Sequence, residues 1–325
     1  MKALVYEGVE TLGFRDVPDP VPQAGEHLIR VEAVGICGSD MHAYLGHDAR
    51  RPAPLILGHE AAGVIVGGTM DGRRVTVNPL VTCGTCPACT SGRENLCPTR
   101  QIISMQPREG AFAQYITMPE RNLVTVPADV PLARAALAEP LAVSWHAARL
   151  ALSSLHPVME RRALVIGGGA IGLAAALALR AMGVAQITIA EPNAARREFL
   201  TALGEQAVAA AEGSYPVVID AVGYAATRAT ATAVVEAGGV IAHVGLGEDT
   251  GGLDVRRMTL QEITFIGTYT YTAQDFRDTA AAIFDGRLGA LDWCRHQPLS
   301  SGAEAFAQLR KGAVAEPKIV LDPWG

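Results

Sequence analysis

The chain has 325 residues, enough for two domains of ordinary size with a core each. Hydrophobic residues make up 49% and charged residues 18%, a globular rather than a disordered balance. The net charge of −6, with pI near 5.8 and no Lys/Arg block, excludes an electrostatic nucleic-acid surface and points to small polar ligands instead.

The N-terminal residues reach Lys2, Glu7 and Gly8 before an apolar signal region could form. The longest apolar run, 163–179, is broken by Gly167, Gly168, Gly169 and Gly172 and divides into strand, turn and helix rather than a membrane span. These features predict a cytoplasmic protein, in which clustered cysteines are metal ligands more often than disulfides.

In chain order, 2–6 reads as a strand, 18–22 as a Pro-rich turn, and Ile29, Val31 and Ala33 alternate with Arg30 and Glu32 as in a half-buried strand. The stretch Gly35-Ile36-Cys37-Gly38-Ser39-Asp40-Met41-His42 follows and reads as a tight loop carrying a thiol, a hydroxyl, a carboxylate and an imidazole. Further strand material at 61–66 and 75–77 predicts a compact, mostly β domain. A lone Cys is ordinarily a small buried hydrophobe. Here Gly58-His59-Glu60 and Glu139-Pro140 add an imidazole and two carboxylates, and a catalytic zinc takes three protein ligands with one position open. Cys37, His59 and either Glu60 or Glu139 could fill it.

Cys83, Cys86, Cys89 and Cys97 form C-x-x-C-x-x-C-x7-C. Four thiolates in one loop suit a closed structural zinc site; the compartment argues against two disulfides, and iron–sulfur spacings differ. Cys294, alone near the C-terminus, reads as a structural residue.

From Pro131 the period changes to 3.6, with Leu132, Ala135 and Ala136 and then Leu141, Trp145, Ala148 and Leu152 marking helix faces. Glu139 stands at the break, where it could cap a helix, serve a metal, or do both. Next, 164–166 is a buried strand, 167–172 matches G-x-G-x-x-G, 173–182 is a helix, and 186–190 is a second strand ending at Glu191. That motif is weak alone, but strand, helix and acid about twenty residues on complete a dinucleotide-binding unit. Gly167, Gly169, Ile171 and Gly172 are cofactor-binding candidates at a helix N-terminus. Glu191 would bind the adenosine ribose hydroxyls and repel a 2′-phosphate, favouring NAD over NADP. Arg196 and Arg197 could soften that preference, or be ordinary surface charges. Later strand ends, at Val222, Gly245 and Leu246, are further cofactor candidates. Helices at 273–284 and 303–309 and a strand at 318–321 close the chain.

With both motifs present, the chain resembles the zinc-dependent medium-chain dehydrogenase/reductases of the alcohol dehydrogenase superfamily, over nearly its whole length. Cys37 to His42, Gly58-His59-Glu60 and 138–143 look most like the polyol, sugar-acid and threonine dehydrogenase branch, which includes sorbitol and L-idonate 5-dehydrogenases. The resemblance implies an α/β fold. A GroES-like β-barrel catalytic domain would span 1–140 and 272–325, with the zinc lobe at 83–97, and a doubly wound Rossmann coenzyme domain would span 141–271. It implies a catalytic zinc on Cys37, His59 and Glu60, with Glu139 bound directly or through water, and a structural zinc on the four clustered cysteines. It also implies a homodimer or homotetramer.

The reaction implied is oxidation of a secondary alcohol to a ketone. Zinc acts as a Lewis acid, Ser39 takes the proton, the cofactor ribose and His42 pass it on, and Asp40 fixes the His59 tautomer. Three departures from the family stand out: a short link between Val66 and Val75, no room for the usual helix after Gly204, and Thr270 where the polyol branch usually carries a substrate-binding Arg. Ala43, Tyr44, Phe112, Thr270 and Tyr271 are read as pocket lining. The competing readings are a zinc-free quinone or enone reductase on the same fold and a non-catalytic nucleotide-binding protein.

Overall fold

The structure is a computed structural model describing residues 1–325. It divides into two compact units: Met1–Glu139 with Thr272–Gly286 and Leu291–Gly325, and Pro140–Tyr271 with Arg287–Ala290.

The first unit is organised around the strand Glu26–Gly35. Its alternating Ile29, Val31 and Ala33 are buried while Arg30 faces solvent, so one face packs inward. This strand pairs antiparallel with Glu60–Val66, Tyr115–Pro119 and the C-terminal Lys318–Asp322 within a seven-stranded sheet; a second sheet joins Lys2–Gly8 to Thr11–Asp16 and Leu55–Ile56. Leu4, Ile29, Ile65, Phe112, Phe306 and Leu321 fill the core. Tyr44 and Phe112 lie in that core, their rings 5.2 Å and 5.9 Å from Phe306, and Ala43 and Tyr271 are also buried.

The stretch after Cys37 is a short helix, Gly38–Tyr44, rather than a loop. Asp40 explains the difference: its carboxylate accepts the Cys37 amide at 3.0 Å, a cap that outweighs the poor helix propensity of Gly38.

The second unit is a six-stranded parallel sheet in the order Gln206–Val208, Gln186–Ala190, Arg162–Ile166, Tyr215–Asp220, Val235–His243, Thr264–Gly267. In sequence order that is 3-2-1-4-5-6, the doubly wound arrangement whose order reverses beside the first strand. Residues 209–214 link two of these strands without a helix, so this face is trimmed where the sequence leaves too little chain for one. The chain contains no helix long and apolar enough to cross a membrane.

Candidate metal centre and dinucleotide turn

Ligand atoms of Cys37, His59 and Glu60 lie within 4.8 Å of one another. Cys37 lies two residues past the end of the central strand, as the cap of the helix Gly38–Tyr44, and Glu60 opens the strand paired beside it, with Glu60 opposite Gly35. His59 enters from the turn before, where Gly58 N–H donates to Asp40 Oδ1 at 3.1 Å. His59 Nδ1 faces Asp40 Oδ1 at 3.5 Å and Ser104 Oγ at 3.3 Å, which leaves Nε2 for a metal. Burial opposes charge on His59, yet Asp40 and Cys37 beside it outweigh burial and hold its imidazole well above the ordinary range. The cluster thus carries a field that favours a cation. One oxygen of Glu60, Oε2, is buried and has no hydrogen-bond partner. A soft thiolate, an imidazole and a carboxylate with a vacant lone pair fit zinc.

Glu139 is buried at the start of the helix Ala138–Ser154 and is not among the three clustered ligands, although its charge reaches the buried Lys318 and helps raise that group's pKa. Ser39 is half-buried, its carbonyl accepting Arg51 Nη1 at 2.9 Å and its hydroxyl 3.4 Å from Nη2; His42 is exposed on the same helix.

The other four cysteines gather in the lobe. Sulfur separations are 3.8 Å for Cys83–Cys89, 3.5 Å for Cys86–Cys89 and 3.6 Å for Cys83–Cys97. A tetrahedron with Zn–S bonds of ~2.3 Å has edges of about 3.8 Å, whereas a disulfide needs ~2.05 Å, so the arrangement fits a zinc. The amides of Thr85 and Cys86 point at Cys83 Sγ and pull its thiol down to about 5, already favouring the thiolate a metal needs.

In the second unit, Gly167 has φ +97°, and a Cβ on Gly172 would stand 1.8 Å from the Gly167 carbonyl oxygen, so turn and helix Ala170–Ala181 pack as only glycines allow. A Cβ on Gly169 would meet nothing within 4 Å, leaving the helix N-terminus open to a pyrophosphate. Val222 packs over Gly167, and Gly223 lies against Gly245, so the strand-end candidates converge; Leu246 is exposed and Ile171 uses its carbonyl to accept Ser144 Oγ at 2.8 Å. Glu191 ends its strand with Oε2 accepting Gly168 N–H at 2.9 Å and Oε1 accepting Asn193 N–H at 2.8 Å. Arg196 Nη1 stands 3.5 Å from Glu191 Oε2, and Arg197 donates to the Glu191 and Pro192 carbonyls, so both are tied to this turn rather than being free surface charges.

Residues 23–128 match the model of the alcohol dehydrogenase GroES-like domain, and residues 170–285 that of the zinc-binding dehydrogenases. The chain is 32% identical to the L-galactonate-5-dehydrogenase of Escherichia coli over 94% of both chains, and 35% identical to a sorbitol dehydrogenase of Bacillus subtilis over 83% of this chain and 82% of the relative. The chain belongs to the zinc-binding alcohol dehydrogenase family. Membership makes it an oxidoreductase acting on a CH–OH group, with zinc and a nicotinamide dinucleotide as cofactors. Among solved members of this fold, the acetophenone reductase of Geotrichum candidum in complex with NAD superposes with a TM-score of 0.87 at 26% identity, covering 99% of this chain and 97% of the other.

Four dehydrogenase residues around the metal centre escape sequence reasoning: Arg51, Ser104, Asp48 and Lys318. Arg51 is 3% exposed and ties Ser39, Asp48 and the Ser104 carbonyl together. Lys318 donates to Glu60 Oε1 at 2.6 Å. Only their three-dimensional neighbours set them apart from ordinary surface charges and a loop serine.

Proposed function

We propose that the protein oxidises a small secondary alcohol of the polyol or sugar-acid class to its ketone with NAD, and that Cys37, His59 and Glu60 hold the catalytic zinc. The observation that carries this reading is the gathering of those three ligand atoms within 4.8 Å, with a buried carboxylate oxygen lacking a partner. Zinc supplies the Lewis acidity that lowers the alcohol's pKa, as it lowers that of water from ~16 to about 7. The CH–OH carbon gives up a hydride to the nicotinamide, and its hydroxyl proton leaves to solvent.

The chain's own residues do the rest. Asp40 and Ser104 hold His59 with Nε2 toward the metal; Ser39 accepts the proton, and the exposed His42 hands it to water. Glu139 acts at longer range, through water. Cys83, Cys86, Cys89 and Cys97 hold a second, structural zinc. The first turn, Gly167 to Gly172, takes the pyrophosphate, and Val222, Gly245 and Leu246 line the rest of the dinucleotide path. Glu191 binds the adenosine ribose, with Arg196 against its carboxylate, which favours NAD.

The substrate class follows the relatives named for L-galactonate and sorbitol, while Thr270 replaces the branch's substrate-binding Arg and shifts preference within that class. The protein works in the cytoplasm as a homodimer or homotetramer.

The test is reduced-nicotinamide formation by zinc-replete protein on polyols, sugar acids, hydroxy-amino acids and simple secondary alcohols, with NAD and NADP in parallel and zinc per chain measured. Turnover with NAD and two zinc ions is expected. One zinc confined to the cysteine lobe, with reduction of quinones or enones, would establish the zinc-free reductase instead.

A further inference from the structure

Lys318 is 3% exposed, and its ammonium donates to Glu60 Oε1 at 2.6 Å and to the Ile36 carbonyl at 3.0 Å. An ammonium withdrawn from water persists only where it is paired, and here the pairing fixes the carboxylate plane as well as satisfying the charge. The second Glu60 oxygen, Oε2, is buried and without a protein partner, which leaves its lone pairs available to a cation. Gly35 sits opposite both Glu60 and Val320 in the sheet, and a Cβ there would stand 2.0 Å from Oε2. Three adjacent strands therefore hold one carboxylate: the C-terminal strand grips Oε1, and the central strand clears room for Oε2.

We propose that Lys318 is a positioning residue for the Cys37–His59–Glu60 centre, occupying one oxygen of Glu60 so that the other is presented to the metal. The centre is then complete only when the C-terminal strand has paired beside Gly35. The inference rests on the zinc reading of that cluster.

Zinc affinity decides it, read by chelator competition on the full-length wild type, Lys318→Met, Lys318→Arg and Gly35→Ala, with the cysteine lobe as internal reference. The wild type should hold two zinc ions. Lys318→Met should keep the lobe zinc and bind the other about 10–100-fold more weakly, the range seen when partners of metal ligands are removed. Lys318→Arg should recover part of that loss, and Gly35→Ala should weaken the same zinc by displacing Oε2. Wild-type affinity for both ions in Lys318→Met overturns the inference while leaving the zinc reading intact, whatever Gly35→Ala does. A wild type that binds only the lobe zinc overturns both. Should Lys318→Met fail to fold by circular dichroism, Lys318→Gln, which keeps a neutral donor near Oε1, takes its place: weakened binding of the same zinc supports the inference and wild-type affinity overturns it.

Discussion

At the scale of single residues, the acid that ends the second parallel strand is already held in place. Glu191 is 5% exposed and takes amides from Gly168 and Asn193, so its carboxylate is fixed at the glycine turn before any cofactor arrives. Its charge is what should set the cofactor. Two like charges about 4 Å apart repel by roughly 4 kcal/mol at an effective dielectric near 20, and Arg196 beside Glu191 offsets part of this. Glu191→Gln keeps the shape and removes the charge. The ratio of kcat/KM for NADP to that for NAD should rise about tenfold or more, equivalent to ~1.4 kcal/mol. An unchanged ratio would mean that Glu191 does not face the ribose 2′ position. The place of this residue at the glycine turn was legible because its signal is local, a strand followed by an acid at fixed spacing from the glycines. Ser104 was not: its hydroxyl meets His59 across 45 positions of sequence, and nothing around it marks that contact.

Among the elements, the strand Tyr215–Asp220 does more than its apolar run suggests. Asp220 is fully buried at its end and accepts the Val222 and Gly223 amides at 3.1 Å and 2.9 Å, Thr227 Oγ1 at 3.0 Å and His243 Nδ1 at 3.2 Å. Its own carbonyl accepts the Val244 and Gly245 amides, so two strand-end turns hang on one residue. Burial pushes the Asp220 carboxyl up, but His243 and the two amides outweigh it and hold it below the usual carboxylate value. A carboxylate depressed in the folded state stabilises above its unfolded pKa and loses that contribution as pH falls through the folded value. Asp220→Asn keeps one acceptor and loses the charge, so unfolding free energy near neutral pH should drop by about 2–3 kcal/mol and dinucleotide affinity should fall with it. The gap between wild type and variant should begin to narrow as pH falls past the ordinary aspartate value of ~3.9, where the unfolded chain takes up its proton, and close as pH falls through the lower folded value. Denaturant melts across pH would show this, and a gap independent of pH would remove the charge from the argument. The strand was readable from its apolar run, as was the missing helix from the shortness of 209–214. The helix Gly38–Tyr44 was not, because a glycine at its start reads as a breaker while the cap that overrides it is a side-chain contact.

For the whole molecule, chain order hides what closes each site. The first unit is interrupted by the second and completed by a C-terminal strand, so Lys318 and Glu60 meet across 258 positions of sequence, a pairing set by strand register that no local pattern encodes. The cysteine lobe is the opposite case, since its four cysteines lie within one short segment and their spacing alone suggests a metal site. Its ends are joined by the short antiparallel pair Leu80–Val81 and Gln101–Ile102, with Leu80 opposite Ile102, a two-stranded sheet separate from the large sheet of its unit. Inside the lobe only the short helices Pro87–Thr90 and Glu94–Leu96 are regular, and little apolar surface is buried besides Cys97 itself. Structural zinc contributes ~10–16 kcal/mol to isolated zinc-finger peptides, far more than such a loop gains from packing, so on the proposed zinc reading the metal would order it. Cys97→Ser should therefore lose one zinc per chain, become cleavable by protease within 83–97, and keep both the remaining zinc and the far-ultraviolet circular dichroism of the wild type. If the dichroism and the second zinc disappear together with the first, the lobe is part of the cooperative core of its unit, and the short strand pair does not insulate it.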